Sequence, residues 1–367
     1  MIIEAVRALV GGGRRVVFTS SVEGPLLEQI ISAGAEVRVL PVPVIRRSIL
    51  SPRGLVKAGA ETVRAWPAMM RMIRDVDPDV VIGNTLTVPL WTLAARVRRR
   101  AALVYVHEAE AGLSWAARTL LTAPLITATG AIFNSKTSRD VCDSRGLSRR
   151  DRTRVVPNGV AGPDAAVPPR DRAEVPFRLL YMGRLSPRKG VDLVLRAVAL
   201  LRDQGVESVL DIVGDVFPGY EWYEDQLRAL AEELAITDHT RFHGFQPSVW
   251  ATAQAADAIV VPSRADESFG NVVIEALLCS RPVVLADHSG LREAGEGFAS
   301  VIAVPVDDPQ AIADAVHDLI SRWPEYARRA CSDAARAAVD YGLALYGSRF
   351  VAAVDELGEA SRGAIVT

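Results

Sequence analysis

The sequence predicts an α/β protein of two Rossmann-like, doubly wound domains joined by a stiff connector, and three observations carry that prediction. Short β-branched runs alternate with helix-length amphipathic segments along the whole chain. The runs are continuously apolar rather than alternating, as strands of a parallel sheet covered on both faces are. A proline-rich stretch divides the pattern into halves. At 367 residues the chain is long for one core and comfortable for two.

Taken in order, "MIIEAVRALV" reads as a helix already under way, and Gly11–Gly13 look like its C-terminal turn. The first-half strands read "RRVVFTS", "EVRVLPV", "PDVVIGN", "ALVYVHE", "ITATGAIFNS" and "RTRVVPNG". The second-half strands read "FRLLYMG", "SVLDIVG", "TRFHG", "AIVVPS", "PVVLAD" and "SVIAVPV". Between them "AGPDAAVPPRDRAEVP", residues 161–176, holds four prolines with little apolar periodicity and reads as a stiff linker. The expected domains are therefore 1–160 and 177–344, with a C-terminal helix over about 345–367 packing back on the first. No short repeat period points to a solenoid.

Composition narrows the class. About half the residues are apolar (49%) and about a quarter charged (23%), as in a soluble globular protein. Cys142, Cys279 and Cys331 form no C-x-x-C pair, which argues against a structural zinc site and suits a reducing cytosol. "MIIEAVRAL" carries Glu4 and Arg7 and has neither the basic head nor the apolar run of a secretory signal. The longest uncharged stretch, Thr119 to Ser135, is short for a bilayer span and is broken by Pro124 and Gly130. Residues 1–160 hold 23 Lys and Arg against 13 Asp and Glu, whereas the remainder holds 19 against 31. A basic half beside an acidic half suggests different partners for each.

In open α/β sheets ligands bind beyond the carboxyl ends of the strands, so the informative residues are those that follow each strand. Gly183 and Arg184 follow "LLYM", Gly214 follows "LDIV", Asn84 follows "VVI", and His107 and Glu108 follow "LVYV". In "YMGRLSPRKGVD" two glycines flank Arg184, Arg188 and Lys189, the combination of close backbone and fixed positive charge that a diphosphate needs. No G-x-G-x-x-G or Walker loop follows any strand, which disfavours a nicotinamide-dependent dehydrogenase. In "ESFGNVVIEA" the helix is expected to begin at Gly270-Asn271, with Glu267 in the loop facing the crevice. Glu275 lies about one turn inside, where a carboxylate accepts hydrogen bonds from the vicinal hydroxyls of a ribose.

"GRLSPRKGVD" followed by "PSRADESFGNVVIEALLCSRPVV" resembles the retaining GT-B glycosyltransferases of family 4. "VVPNGV", "HGF" and "SGLREA" extend the likeness, which covers the second domain almost fully and the first more loosely. The resemblance implies transfer of a sugar from a nucleotide diphosphate sugar to an acceptor, with no metal and no cofactor beyond that co-substrate. It gives Arg184 and Lys189 the donor diphosphate and leaving group. Glu267 is implied to face the transferred sugar, Glu275 the ribose, and His107 the donor sugar from the first domain. Phe269, Gly270 and Asn271, with Ser268 and Val272 beside them, are implied to line the donor, and Gly183, Gly214, Gly244 and Phe245 to approach it through backbone. Asn84, His107 and Glu108 are expected on the acceptor side.

Two departures from the family pattern stand out. Ser280 occupies a helix end where glycine is usual. The strand and glycine-rich loop that open family members are expected to be absent here, with loss of part of the acceptor site. On the acceptor side Arg46, Arg47, Arg53, Lys57, Arg64, Arg71 and Arg74 interleave with Trp66, Met69 and Met70 over 46–74. A basic helix with an apolar flank suits an anionic membrane surface, which implies a cytoplasmic protein peripheral at the inner face and a glycan or lipid-linked acceptor. No recognition motif supports nucleic acid. The rivals are an epimerase or phosphorylase of the same fold, or a non-catalytic nucleotide-sugar-binding protein.

Overall fold

The computed structural model describes residues 1–45, 52–109, 112–144, 146–148 and 150–366. It divides into two compact units, Met1–Gly159 with Leu343–Thr367, and Val160–Gly342.

The first unit opens with α1 (Ile2–Gly11), β1 (Val17–Ser20), α2 (Pro25–Ser32), β2 (Glu36–Val39) and α3 (Pro52–Val76). It continues through β3 (Val80–Gly83), α4 (Pro89–Val97), β4 (Ala101–Val106), α5 (Trp115–Thr122), α6 (Pro124–Thr127), β5 (Gly130–Phe133), α7 (Lys136–Cys142) and β6 (Thr153–Val155). Gly12 and Gly13 follow α1 as its terminal turn, their N–H groups donating to the Ala8 and Val10 carbonyls. The strands differ from the single sheet that the sequence implied. β3, β4, β5 and β6 form one parallel sheet, while β1 pairs only with β2 in a separate parallel ribbon. Each piece therefore ends on an unpaired edge, β1 in one and β3 in the other, among the described residues.

The apolar flank of α3 also differs from expectation. Met69 is fully buried and packs with Val42, Ala65, Ile73 and Ala94, and Trp66 and Met70 lie against the same cluster. Spacing of four along a helix points Ala65, Met69 and Ile73 in one direction, and that direction is the unit's own core. Among the described side chains of α3, Val56 and Val63 are the large apolar ones left exposed. Arg46 and Arg47 lie outside the described residues.

The second unit comprises β7 (Phe177–Met182), α8 (Val191–Asp203), β8 (Ser208–Val213), α9 (Glu221–Glu233), β9 (Thr240–Gly244), α10 (Trp250–Ala255) and β10 (Ala258–Val261). After these come α11 (Asn271–Leu278), β11 (Val283–Ala286), α12 (Ser289–Gly295), β12 (Val301–Val304), α13 (Pro309–Ser321) and α14 (Trp323–Asp340). Its six strands make one parallel sheet in the order β12-β11-β10-β7-β8-β9. Strand order reverses between β7 and β10, the topological switch point where such sheets open a crevice at their carboxyl ends. Large apolar clusters cover both faces, Leu179, Leu195 and Leu210 in one and Leu180, Ile259 and Leu277 in the other.

The linker expected over 161–176 is instead bound into this unit. Arg170 Nε donates to Asp257 at 2.8 Å, Trp323 Nε1 donates to the Arg170 carbonyl at 2.8 Å, and buried Arg281 donates to the Val167 carbonyl at 2.9 Å. Prolines stiffen the segment, but these long-range polar partners fix its course. Ser280 stands at φ 57, the left-handed conformation required to turn from α11 into β11, as its place in the sequence implies.

The last helix, α15 (Leu343–Val366), belongs to the first unit. Tyr346, Phe350, Ala353, Val354 and Leu357 bury against Leu103, Tyr105 and Ile132 of β4 and β5. Among the described residues no helix is long and apolar enough to cross a membrane.

Candidate active site

The two segments singled out by sequence follow β7 and β10, the neighbours at the switch point. After β7 the chain passes Gly183 and Arg184 into a 3-10 turn over Pro187–Lys189, then enters α8. After β10 it runs through Glu267 to Gly270, which caps α11 at φ 96. The loops meet directly, because Lys189 Nζ lies 2.6 Å from Glu267 Oε1. Both side chains are about one-fifth to one-quarter exposed (25% and 18%), so this cation and acid face a common, partly open space.

Three strand-end glycines extend the edge. Gly183 donates to the Val213 carbonyl and Gly214 to the Gly244 carbonyl, each at 2.9 Å. Gly214 has φ 141, and a Cβ there would run into the Gly183 carbonyl oxygen. Only glycine allows β7 and β8 to end so close together, leaving a bare backbone rim on which a ligand can lie. Phe245, just beyond Gly244, is exposed.

Arg184 is held differently from Lys189. Its guanidinium stacks on the Phe217 ring with Cζ 3.5 Å from the centroid, and among the described residues no carboxylate forms an ion pair with it, Glu267 acting on it only through longer-range attraction. Burial first, and then the charge of Arg188, lowers its pKa, yet an arginine remains a cation at any physiological pH. A guanidinium stacked by its face keeps its edge donors for an anion. Arg188 does not share that freedom, because its Nη2 donates to the Asp266 carbonyl at 2.9 Å.

Beyond Gly270 the first turn of α11 presents Asn271 and Val272, both half-buried. The Glu275 carboxylate projects from the next turn with no hydrogen bond or ion pair among the described residues, and burial raises its pKa. A half-buried acid without a protein partner is arranged for a ligand's hydroxyls. Phe269 contributes backbone only, since its ring is buried against Tyr341 at 5.6 Å. Ser268 is half-buried between it and Glu267.

The supports of this loop were not anticipated. Glu267 N–H donates to Ser289 Oγ at 3.0 Å, Gly290 N–H donates to the Glu267 carbonyl at 2.9 Å, and His288 Nε2 lies 2.7 Å from the Ser263 carbonyl. A Cβ at Gly290 would stand 2.6 Å from Phe269 N, so the α12 start must be glycine to let the loop lie on it. "SGLREA" was the visible signal, but nothing in it tells that it supports Glu267.

The remaining candidates lie in the first unit. His107 Nε2 is 3.3 Å from Asn84 Oδ1, its ring packs on Tyr105 with centroids 4.0 Å apart, and its Nδ1 is buried without a hydrogen-bond partner among the described residues. Burial, and secondarily the charge of the chain's amino terminus, lowers its pKa to about 4, so the ring is neutral at pH 7. Glu108, the other acceptor-side candidate, is engaged within its own unit. Its Oε1 accepts from Leu86 N–H at 3.0 Å and from the Thr85 hydroxyl, and its Oε2 accepts from His107 N–H at 2.9 Å. A carboxylate so engaged braces the loops after β3 and β4.

Two family models match the chain, Glycosyltransferase Family 4 over residues 1–161 and Glycosyl transferases group 1 over residues 168–338. The chain belongs to the family 4, group 1 glycosyltransferases. The chain is 38% identical over 183 residues to a D-inositol 3-phosphate glycosyltransferase of Corynebacterium jeikeium (strain K411), covering 46% of this chain and 43% of the relative. It is 38% identical over 172 residues to the same-named protein of Frankia alni (strain DSM 45986 / CECT 9034 / ACN14a), covering 45% and 41%. The matches thus span less than half the length of these relatives. A solved structure, Anabaena Alr3699/HepE in complex with UDP, superposes with a TM-score of 0.80 over 96% of both chains at 20% identity. The UDP-glucose complex of that protein gives 0.77, again over 96% of both chains at 20% identity. The likeness establishes the GT-B fold.

Proposed function

We propose that the chain transfers a sugar from a nucleotide diphosphate sugar to a glycan or lipid-linked acceptor, with retention of anomeric configuration and without a metal ion. The Lys189–Glu267 contact carries this reading, because it joins a leaving-group cation to a sugar-facing acid at the switch point. The UDP and UDP-glucose complexes of the structural neighbour favour a uridine donor. In the proposed reaction the bond between the anomeric carbon and the diphosphate oxygen breaks, and negative charge grows on that oxygen. Arg184, Lys189 and the α11 N-terminus stabilise it. The acceptor oxygen bonds to the anomeric carbon on the same face, and its proton passes to the departing phosphate. Glu267 orients Lys189 and the sugar, and Glu275 takes the ribose hydroxyls.

A panel of UDP-glucose, UDP-galactose, UDP-N-acetylglucosamine and GDP-mannose, scored by thermal stabilisation and then by donor turnover, tests the proposal. Lys189→Ala and Glu267→Ala are expected to lower turnover by about 10²- to 10³-fold. Normal turnover in both would defeat the site assignment. NMR of the product's anomeric centre distinguishes retention from inversion and transfer from epimerisation, and turnover in excess EDTA tests metal independence.

One observation favours a second reading, a nucleotide-sugar-binding protein without turnover: the first unit's sheet is in two pieces. Donor binding with no cleavage for any acceptor offered would select it. Docking on an anionic membrane belongs to the same proposal, supported by exposed Val56 and Val63 beside Lys57 on α3. Absence of co-sedimentation with phosphatidylglycerol vesicles at low salt would remove it.

A further inference from the structure

Lys189 and Glu267 lie on separate loops, so the distance between them depends on what fixes one loop to the other. A single side chain does most of this. Arg264, just after β10, sends its guanidinium to the start of α8, where Nη1 and Nη2 donate to the two Asp192 oxygens at 2.6 and 2.8 Å. Nη1 also donates to the Pro187 carbonyl at 3.2 Å, inside the turn that carries Lys189. Nε pairs with Asp307, in the loop after β12. The Arg264 backbone N–H donates to the Arg188 carbonyl at 2.8 Å, and Arg188 returns a bond to the Asp266 carbonyl.

Every nitrogen of this guanidinium is thus used within the protein, unlike those of Arg184, so Arg264 is not itself a phosphate receptor. Asp192 is suited to hold it. Burial is the largest influence and works to raise that carboxyl's pKa, but the hydrogen bonds and charge of Arg264, with hydrogen bonds from Tyr223 and the Asp192 backbone, together outweigh it and the net shift is downward. The Tyr223 hydroxyl adds a donor at 3.2 Å. The fork is planar and bidentate, a geometry that a lysine ammonium cannot reproduce.

We infer that Arg264 is a positioning residue for transfer: by clamping Asp192 and Pro187 it sets the register of the Lys189 turn against the Glu267 loop. The inference rests on the donor-site reading above. A small displacement of Lys189 from the departing oxygen weakens an interaction that matters most when charge has developed there, so the rate falls more than donor binding does.

Arg264→Gln, Arg264→Lys and Arg264→Ala are assayed on the best donor of the panel, with melting temperature recorded for each. Arg264→Gln is expected to lower kcat about ten- to hundredfold while donor KM changes less than about threefold. Arg264→Lys recovers only part of the loss, and guanidinium, but not ammonium, partly restores Arg264→Ala. An unchanged kcat in Arg264→Gln overturns the proposal. So does a loss in all three variants that follows only their folded fraction, with no response to guanidinium. Should Lys189→Ala and Glu267→Ala turn over normally while Arg264→Gln does not, the donor-site reading is what has failed.

Discussion

The two units use the same alternation of strand and helix, yet they handle sheet continuity and polar atoms in opposite ways. In the second unit six strands run unbroken, both sheet faces are covered by large apolar clusters, and among the described residues neither Arg184 nor Glu275 forms an ion pair. In the first the strands fall into a ribbon and a four-stranded sheet, the core is divided into smaller clusters, and Glu108 is fully engaged. A continuous, well-packed sheet can hold unpaired charged groups at its edge without collapsing around them, because its own hydrogen bonds and core fix the backbone. The divided unit relies on a helix returning from the far end of the chain.

The largest expected effect tests that reliance. Phe350→Ala removes a ring that is 1% exposed, within the cluster joining α15 to β4 and β5, and is expected to cost about 3–5 kcal/mol in chemical denaturation. A loss below about 1 kcal/mol would show that the returning helix is dispensable and weaken the contrast.

A somewhat smaller effect concerns the sealed histidine. His107 titrates near 4 in the fold, below its ordinary value of 6.5, so between these values the unfolded chain binds the extra proton. Stability is then complete above about pH 6.5 and declines as pH falls towards 4, by up to about 3 kcal/mol. Denaturation midpoints for wild type and His107→Gln over this range check the sign. A wild-type profile no steeper than the variant's would mean the ring is more open than its burial indicates.

The smallest effect concerns the open cation. Phe217→Leu keeps bulk but removes the ring face under Arg184. Donor affinity is expected to fall about two- to fivefold, the scale of an exposed cation–π contact. Titration calorimetry with UDP reads it, and an unchanged affinity would show that Arg184 needs no aromatic support.

Much of this was legible in the sequence, for identifiable reasons. Each of the twelve quoted runs coincides with a strand among the described residues, most plainly β4, β5, β10 and β11, because buried parallel strands need unbroken apolar side chains whatever their neighbours. Arg184, Lys189, Glu267 and Gly270 stood out because loops after strands must supply the ligand groups in this architecture. Pairing was not legible. Nothing in "RRVVFTS" tells that it stops at a ribbon edge. Arg264 and Asp192 are 72 residues apart, and each alone looks like a surface charge. Met69 was read as part of a lipid-facing flank because periodicity gives a helix an apolar direction without saying what lies there. That Glu108 accepts from Leu86 and Thr85 was not legible either, because such hydrogen bonds leave no trace in composition.

The chain enters the second unit at Val160 and leaves it just after Tyr341, and the Val160 N–H donates to the Tyr341 carbonyl at 2.9 Å. Doorway and exit are therefore one hydrogen bond apart, and the whole block between them is topologically a bead hung on a closed loop. Excising 160–342 and splicing Gly159 to Leu343 with a short Gly-Ser bridge should leave the remainder able to fold, whereas clipping the tail alone should not. Cooperative thermal unfolding of the spliced chain, and none of the clipped one, is the result this topology demands.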